Sequence, residues 1–314
     1  MNHWEMENAV HLSVALKEAG FQVSQICCSR PSCFDFAARK DNTAFLVKVN
    51  SDIDTFSARS ARELKVIAGR VSAASLVISQ QTHGKLLEDD TVYSRNGILV
   101  ITEKTIRSTA LQTANPLVYA GPGGYSVEVD GELVARRRKE LGLSIGKLAV
   151  MIGVSRRTLY GYERGMAKAS VKSAYKLAET LGVPVAKPIN VFERTHKQRQ
   201  CLLIKAHHAI IGRVLLQKVF RKFAFCDISP VFRAPFDFIL NVPKGNGIIV
   251  GGVAVSDERY LDKRLDEIIS VSNVIHAHPV LITEKPKTSS KGVSCICMDE
   301  LSALRTPEDL VATA

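Results

Sequence analysis

The sequence has little that would suit a membrane protein or a disulfide-bonded scaffold. None of its hydrophobic runs approaches the roughly 18 to 20 apolar residues that a membrane-spanning helix needs. It has 7 cysteines in 314 residues, an odd and modest number that favours reduced thiols over a disulfide framework. Aromatic residues make up only 6%, but 46% hydrophobic and 23% charged residues are ordinary for globular domains. The length predicts roughly two domains of about 150 residues each.

The first residues also lack the basic segment and apolar core of a secretory signal. We therefore expect a cytoplasmic protein that has no membrane partner. Neither a phosphate-binding loop nor a metal-ligand spacing such as CxxC is present, so no cofactor and no metal ion are expected.

Positive charge is concentrated in the middle of the chain, although the whole chain carries a formal net charge of +11. Residues 131–222 hold 20 basic and 5 acidic residues, for +15, whereas residues 1–130 and 223–314 come to −1 and −3. A basic segment between near-neutral flanks is expected of a chain that binds a polyanion. The same charge would also suit a solvated helical face, and charge alone leaves both interpretations open.

A pattern of helices and strands occurs twice, once on each side of the basic segment. Each copy begins with an amphipathic helix, at 7–19 and at 207–222, and continues with a hairpin whose first strand contains Phe-Asp-Phe, centred on Asp35 and Asp237. A charged helix, a buried-type strand and a strand that begins at glycine follow in both copies. This order predicts two small α/β domains with mixed sheets.

We predict an α/β (α+β) fold class with an inserted all-α domain. The predicted segments are an N-terminal α/β domain at 1–114, a linker and hairpin at 115–130, a helical domain at 131–189 and a second α/β copy at 190–314. Proline and glycine punctuate the linker, which we expect to end as an exposed strand with an Asp-Gly turn at Asp130.

The helical domain is divided into four helices by its glycines and capping serines. The predicted helices are 132–141, 145–152, 156–164 and 170–181. Only Gly153-Val154-Ser155 separates the second helix from the third. A glycine-containing turn that short is typical of a helix-turn-helix, in which the second helix of the pair lies in the major groove of DNA.

The helical domain resembles the Cro/C1 (XRE) helix-turn-helix family in its residue types and in their spacing. The resemblance covers residues 141–149, 152–165 and 177–184. The whole chain is also similar to archaeal HTH-type transcriptional regulatory proteins, which place this module between two flanking regions. The resemblance implies that the partner is double-stranded DNA and that the function is transcription regulation. It also implies a homodimer that reads half-sites about one helical turn apart, for which we expect the α/β copies to make the dimer contacts.

The apolar residues of this domain are spaced to close a small helical core. They are Leu148, Ala149, Val154, Leu159, Leu177, Ala178 and Leu181. Arg156, Arg157 and Tyr160 fall on the opening turns of the recognition helix, away from Leu159, where the family reads base edges. An arginine there can bond guanine O6 and N7, worth about 1–3 kcal/mol of discrimination, or it can contact a phosphate without specifying sequence. Both roles stay open for each arginine.

The remaining predicted DNA-binding residues suit helix capping or phosphate contacts. They are Ser155 as the cap, Thr158, Arg164 and Lys168 as phosphate contacts, and Lys147 as a weaker candidate of the same kind. Two positions depart from the family, since Ile145 replaces a common glutamine and Gly161 replaces a longer polar side chain. The readable surface is therefore small, and specificity is expected to depend on dimer spacing.

The hairpin around Asp35 and Lys48 resembles the core of the restriction-endonuclease-like PD-(D/E)XK fold. In that fold, an aspartate and a second acid two residues before the lysine hold Mg²⁺, while the lysine polarises the attacked phosphate. Leu46 occupies the position of the second acid here, although Glu7 or Glu63 could substitute from a helix. The resemblance therefore implies a degenerate nuclease fold.

The second copy has fewer of these residues. Asp237 remains, but we place Ile249 and Gly251 at the strand positions of the second acid and the lysine, so this copy is expected to be inert.

The leading hypothesis is a sequence-specific DNA-binding transcriptional regulator without enzymatic activity. The alternative is a Mg²⁺-dependent nuclease or repair-associated protein in which the helix-turn-helix delivers an Asp35/Lys48 site to DNA. A sensor whose α/β copies hold a small-molecule effector is a third hypothesis, and its effector is unknown. Residues 191–222 hold eight Lys/Arg and a single Glu193, which suits either a second phosphate-tracking surface or a solvated helix.

Overall fold

The computed structural model describes residues 2–193, 214–242, 247–254, 258, 260–284, 293–304 and 306–312. Most of the basic stretch at 191–222 lies outside the described residues. The chain forms two compact units, of which unit 1 is Met1–Val77 with Phe192–Ala314 and unit 2 is Ile78–Val191. No helix within the described residues is long and apolar enough to cross a membrane.

The N-terminal α/β elements begin with a helix that a capping box starts. The elements are α1 (His3–Glu18), β1 (Gln22–Val23), β2 (Phe36–Lys40), β3 (Thr43–Asp52), a 3-10 turn (Ile53–Thr55), α2 (Ala58–Arg70) and β4 (Ala74–Thr82). The backbone N–H of Glu5 donates to Asn2, and the Glu5 carboxylate accepts from the Asn2 N–H in return, which begins α1. Strands β1, β2 and β3 pair antiparallel, so the predicted hairpin is present.

Unit 2 contains a set of short strands and a bundle of four helices. Its elements after β4 are β5 (Lys85–Leu86), β6 (Thr91–Arg95), β7 (Ile98–Ile101), α3 (Glu103–Ala110), β8 (Val118–Gly121), β9 (Gly124–Val127), α4 (Gly131–Glu140), α5 (Ile145–Ile152), α6 (Arg156–Glu163), β10 (Ala169–Ser170) and α7 (Val171–Leu181). Strand β6 pairs antiparallel with β7 and parallel with β8, while β9 pairs antiparallel with both β8 and β10.

The Asp-Gly turn expected at the end of the linker is absent. Asp130 instead caps α4, because its carboxylate accepts the backbone N–H of Leu133 at 3.0 Å, and Gly131 is the first residue of that helix. Glycine is needed there for space, since a β-carbon on Gly131 would overlap the backbone carbonyls of Tyr162 and Glu163. The dipeptide therefore starts a helix at a close helix–helix approach.

The second α/β copy has a five-stranded mixed sheet. Its elements are α8 (Val214–Lys222), β11 (Asp227–Pro230), β12 (Phe238–Asn241), β13 (Ile248–Ala254), α9 (Leu261–Ile275), β14 (His278–Thr283), β15 (Ser294–Cys297), α10 (Met298–Ala303) and α11 (Asp309–Ala312). The strand order is β11-β12-β13-β14-β15, with the first two pairs antiparallel and the last two parallel.

The two copies share one topology and one hydrogen-bond pattern. The order β2-β3-α2-β4 recurs as β12-β13-α9-β14. The backbone N–H of Asp35 donates to the carbonyl of Val47 at 2.7 Å, and that of Asp237 donates to the carbonyl of Gly251 at 2.8 Å. Val47 therefore corresponds to Gly251, and the predicted register of the second copy is wrong by one residue. Val250 and Gly252 match Leu46 and Lys48.

Within unit 1 the copies bind each other through reciprocal contacts. Glu63 on α2 accepts the backbone N–H groups of Phe232 and Arg233, just before Asp237. Glu267 on α9 accepts those of Cys28 and Ser29, before Asp35, at 2.9 and 2.8 Å. The rings of Phe34 and Phe236, the residues before the two aspartates, meet with centroids 6.3 Å apart. The two α/β copies, which we expect to make the dimer contacts, thus also contact each other within a single chain.

Candidate nucleic-acid interface

The helix-turn-helix is held by a small apolar core. Leu148, Ala149, Leu159, Leu177 and Leu181 are buried together, and Val154 and Ala178 pack partly buried against them. The turn between α5 and α6 depends on Gly153, whose φ of 75° lies in the left-handed region that favours glycine. The backbone N–H of Val154 donates to the carbonyl of Ala149 at 2.9 Å and closes this turn.

The N-terminus of the recognition helix α6 is capped by its own hydroxyls. The Oγ of Ser155 accepts the backbone N–H of Thr158 at 3.0 Å, and the two hydroxyls lie 2.8 Å apart. Ser155 is exposed and Thr158 is half-buried. Both predicted DNA-binding hydroxyls are therefore placed at the start of α6, where they also stabilise the helix.

Arg156, Arg157 and Tyr160 lie together on the first two turns of α6. All three side chains are exposed, whereas Leu159 between them is fully buried. A helix places successive residues about 100° apart, so Arg156 and Tyr160 lie about 40° apart around α6 and Arg157 about 100° from Arg156, all on its exposed side. The guanidinium carbon of Arg164 lies 5.5 Å from the ring centroid of Tyr160, which orients the aromatic ring by a cation–π contact.

The two predicted phosphate lysines have different surroundings. Lys147 is exposed on α5, near the start of that helix. Lys168 is exposed as well, but its ammonium lies 3.0 Å from the ring centroid of Tyr119, and desolvation there lowers its pKa. Lys168 is therefore engaged by an aromatic ring of its own unit.

A buried ion pair that the sequence analysis missed supports the bundle. Arg138 on α4 donates to both carboxylate oxygens of Glu163 at 2.6 and 2.9 Å, and to the carbonyl of Leu143 at 3.0 Å. The hydrogen bonds to Glu163 raise the pKa of Arg138. In the sequence, Arg138 is one of four consecutive cations at 136–139, and nothing in that run distinguishes the buried member from its exposed neighbours.

In the first α/β copy, Asp35 and Lys48 come together as predicted. Asp35 is 1% exposed, its Oδ1 accepts from Lys48 Nζ at 2.7 Å, and its Oδ2 accepts the backbone N–H of Val49 at 2.7 Å. Burial raises the pKa of Asp35, an effect that Lys48 opposes. Leu46, in the place of the second acid, is buried and apolar.

The two helical candidates for that second acid have different surroundings. Glu7 is exposed on α1, and the carboxylate of Glu63 is bonded to the second copy. The buried acid of α1 is Glu5, which belongs to the capping box and also raises the pKa of Asp35. Across the described residues, no group of three or more His, Cys, Asp or Glu side chains is arranged to hold a metal ion.

The second copy surrounds its aspartate with arginines. Oδ2 of Asp237 accepts from Arg264, which is fully buried on α9, and from the backbone N–H of Val253 at 2.7 Å. Oδ1 accepts from Arg30 of the first copy at 2.8 Å. Gly252 stands where the first copy has Lys48. Both oxygens of Asp237 are therefore held within the protein.

Comparison with known proteins agrees with this architecture. Residues 6–116 match the family model of a PD-(D/E)XK superfamily domain, and residues 134–187 match a helix-turn-helix model. The predicted fold class, an α/β fold with a Cro/C1-type helical domain between nuclease-like domains, is confirmed. The class of protein is thus one that carries a helix-turn-helix domain and a PD-(D/E)XK superfamily domain in one chain.

Relatives that match most of the chain are archaeal and share one name, "Putative HTH-type transcriptional regulatory protein". That of Methanosarcina acetivorans is 32% identical over 85% of this chain and 83% of the relative. That of Halobacterium salinarum is 32% identical over 96% of this chain and 93% of the relative. The chain belongs to this family. A chain of the SinR/SinI protein complex matches with 25% identity over 31% of this chain and 91% of that chain, at a TM-score of 0.17.

Proposed function

We propose that this chain is a sequence-specific transcriptional regulator that reads double-stranded DNA with α6. The observation that carries the proposal is the exposed set of Arg156, Arg157 and Tyr160 on the opening turns of a capped, core-packed recognition helix. Arginine can bond guanine in the major groove, and its charge adds affinity for phosphates. We also propose a cytoplasmic location, where a regulator of this kind would meet its DNA ligand.

The protein is proposed to act as a homodimer on two half-sites. A single eight-residue recognition helix contacts only a few base pairs, so a second copy one helical turn away would extend the site. The dimer contact would use a surface other than the paired faces of the two α/β copies, since Glu63 and Glu267 already bind the opposite copy. Sedimentation of the protein–DNA complex measures the number of chains bound. A single species that contains one protein chain would contradict the proposed homodimer.

No chemistry is proposed for the Asp35 and Lys48 pair. Both oxygens of Asp35 accept hydrogen bonds within the protein, and buried Leu46 replaces the second acid. These contacts support a structural role for the pair. The nuclease alternative predicts DNA strand breaks that need Mg²⁺ and are lost in Asp35→Asn.

Selection of bound genomic fragments at near-physiological salt with Mg²⁺ tests the proposal. Wild type should recover a shared two-fold motif with intact ends, and Arg156→Ala/Arg157→Ala should lose it. Arg107→Ala is the control, because it removes one arginine from α3, outside the helical bundle. Equal recovery of all fragments by wild type would overturn sequence-specific reading, and cut ends would favour the nuclease.

A further inference from the structure

The recognition helix begins against a glycine of the preceding helix. Gly146 is the second residue of α5, and Arg156 is the first residue of α6. A β-carbon at position 146 would lie 2.6 Å from Nε of Arg156, and 2.9 Å from both its Cζ and its Nη2. The Arg156 guanidinium therefore fills the space that the β-carbon of any other residue at position 146 would take.

The backbone of Gly146 does not itself require glycine. The residue is helical, and it is not among the glycines with positive φ. Glycine inside a helix is less favourable than alanine, because it loses more conformational freedom on folding. What glycine gives this position is room for the guanidinium.

We infer that Gly146 is a positioning residue that holds Arg156 as a phosphate contact and leaves base reading to Arg157. The inference rests on the proposed role of α6 as the recognition helix. In a helix-turn-helix, the first helix crosses the phosphate backbone and the second enters the major groove. A guanidinium held against the first turn of α5 lies at the first helix, where the backbone passes. Arg157 is one residue further along α6 and about 100° around it, so it leaves α6 in another direction.

The test measures the DNA affinity of the full chain at 50 and 200 mM salt. Three probes are used: a duplex that wild type selects, the same duplex with single base-pair changes, and a random duplex. One phosphate contact contributes about 0.9 to the slope of log affinity against log salt, so its loss should reduce the affinity ratio between these salts about 3.5-fold. We expect this reduction in Arg156→Gln, with base preference unchanged. Gly146→Ala should show the same reduction, and Gly146→Ala/Arg156→Gln should lose no more than Arg156→Gln alone.

Arg157→Gln should instead weaken discrimination at one base pair. Gly69→Ala, a helical glycine of α2 with open space around its α-carbon, controls for the substitution itself. Thermal unfolding of Gly146→Ala should show no loss of stability, since alanine favours the helix. The inference is overturned if Arg156→Gln changes base preference, or if Gly146→Ala leaves affinity and salt slope unchanged. If the proposed sequence-specific reading is wrong, wild type should bind all three duplexes with equal affinity. In that case the salt slopes of wild type and Arg156→Gln would still show whether Arg156 contacts a phosphate.

Discussion

Arg264 reaches Gly252 with its guanidinium: a β-carbon at position 252 would lie 3.5 Å from Nη2 of Arg264, behind the closer side chains of Ile268 at 2.9 Å and Leu281 at 3.2 Å. The first copy has Lys48 at this strand position, and its ammonium bonds Asp35. Both copies thus neutralise their buried aspartate, but the cation comes from strand β3 in one and from helix α9 in the other. A buried carboxylate needs such a partner because an unpaired charge in the interior is strongly unfavourable. If Asp35 and Lys48 form a structural ion pair, as proposed above, both the stability and its pH dependence should reflect that pair.

Replacing Lys48 with methionine should destabilise the protein by about 3–5 kcal/mol, because it leaves the charge of Asp35 buried and unpaired. Denaturant unfolding at neutral pH measures this loss. The double variant Asp35→Asn/Lys48→Met removes both charges and should regain a large part of it. Equal stability of Lys48→Met and wild type would show that the pair contributes nothing.

The pH dependence of Asp35 has a definite sign. Its pKa in the folded state is raised above the ordinary value by burial, so the folded state binds this proton more tightly than the unfolded state does. Its contribution to stability is therefore fully present below the unfolded pKa and is lost as pH rises through the folded pKa. We expect the free energy of unfolding of wild type, minus that of Asp35→Asn, to fall as pH rises over this interval. A difference that rises with pH would contradict the assignment.

The reciprocal contacts of Glu63 and Glu267 predict that the two copies unfold together. Glu267 is 1% exposed, and Glu267→Gln leaves it one acceptor oxygen where it now has two. We expect a loss of about 1–3 kcal/mol for Glu267→Gln, and a smaller loss for Glu63→Gln, because both backbone donors there use one oxygen, Oε1, which glutamine retains. Both variants should shift one common transition followed by far-UV circular dichroism and by limited proteolysis.

Asp262→Asn is the matched control for this pair, because Asp262 is exposed on the same helix as Glu267. Its effect should stay below that of Glu267→Gln. Separate transitions for the two copies would show that the contacts between them do not couple their folding.

The sequence predicted the local features of the fold better than the distant contacts. The limits of α5 match because Ser144 and Gly153 act as cap and stop through neighbouring backbone groups. By contrast, the pairing of Glu63 with Phe232 and Arg233 depends on how the two copies pack. Residues 169 positions apart leave no periodic pattern that would reveal such a contact.

The same limit applied to the candidate site. The residue types on α6 indicated a recognition helix, since a helix displays its exposed face by spacing alone. Two contacts depend on side-chain packing, which residue spacing cannot predict. They are the contact of Arg156 with Gly146 and the contact of Lys168 with Tyr119. The one-residue error at Gly252 has a similar origin, because the residues before the second strand differ in number between the copies and only the backbone hydrogen bonds define the register.

Lys147 and Lys168 should contribute differently to DNA binding, although the sequence suggests one role for both. Lys147 is exposed on α5, so Lys147→Met should remove close to one unit from the slope of log affinity against log salt if it contacts a phosphate. The ammonium of Lys168 lies on the Tyr119 ring, and contact with a phosphate would compete with that cation–π interaction. Lys168→Met should therefore change the slope less than Lys147→Met does. Tyr119→Leu would free the ammonium, so the effect of Lys168→Met should grow in that background. Equal slopes for the two lysine variants, with no influence of Tyr119→Leu, would mean that the ring does not restrain Lys168 when DNA is bound.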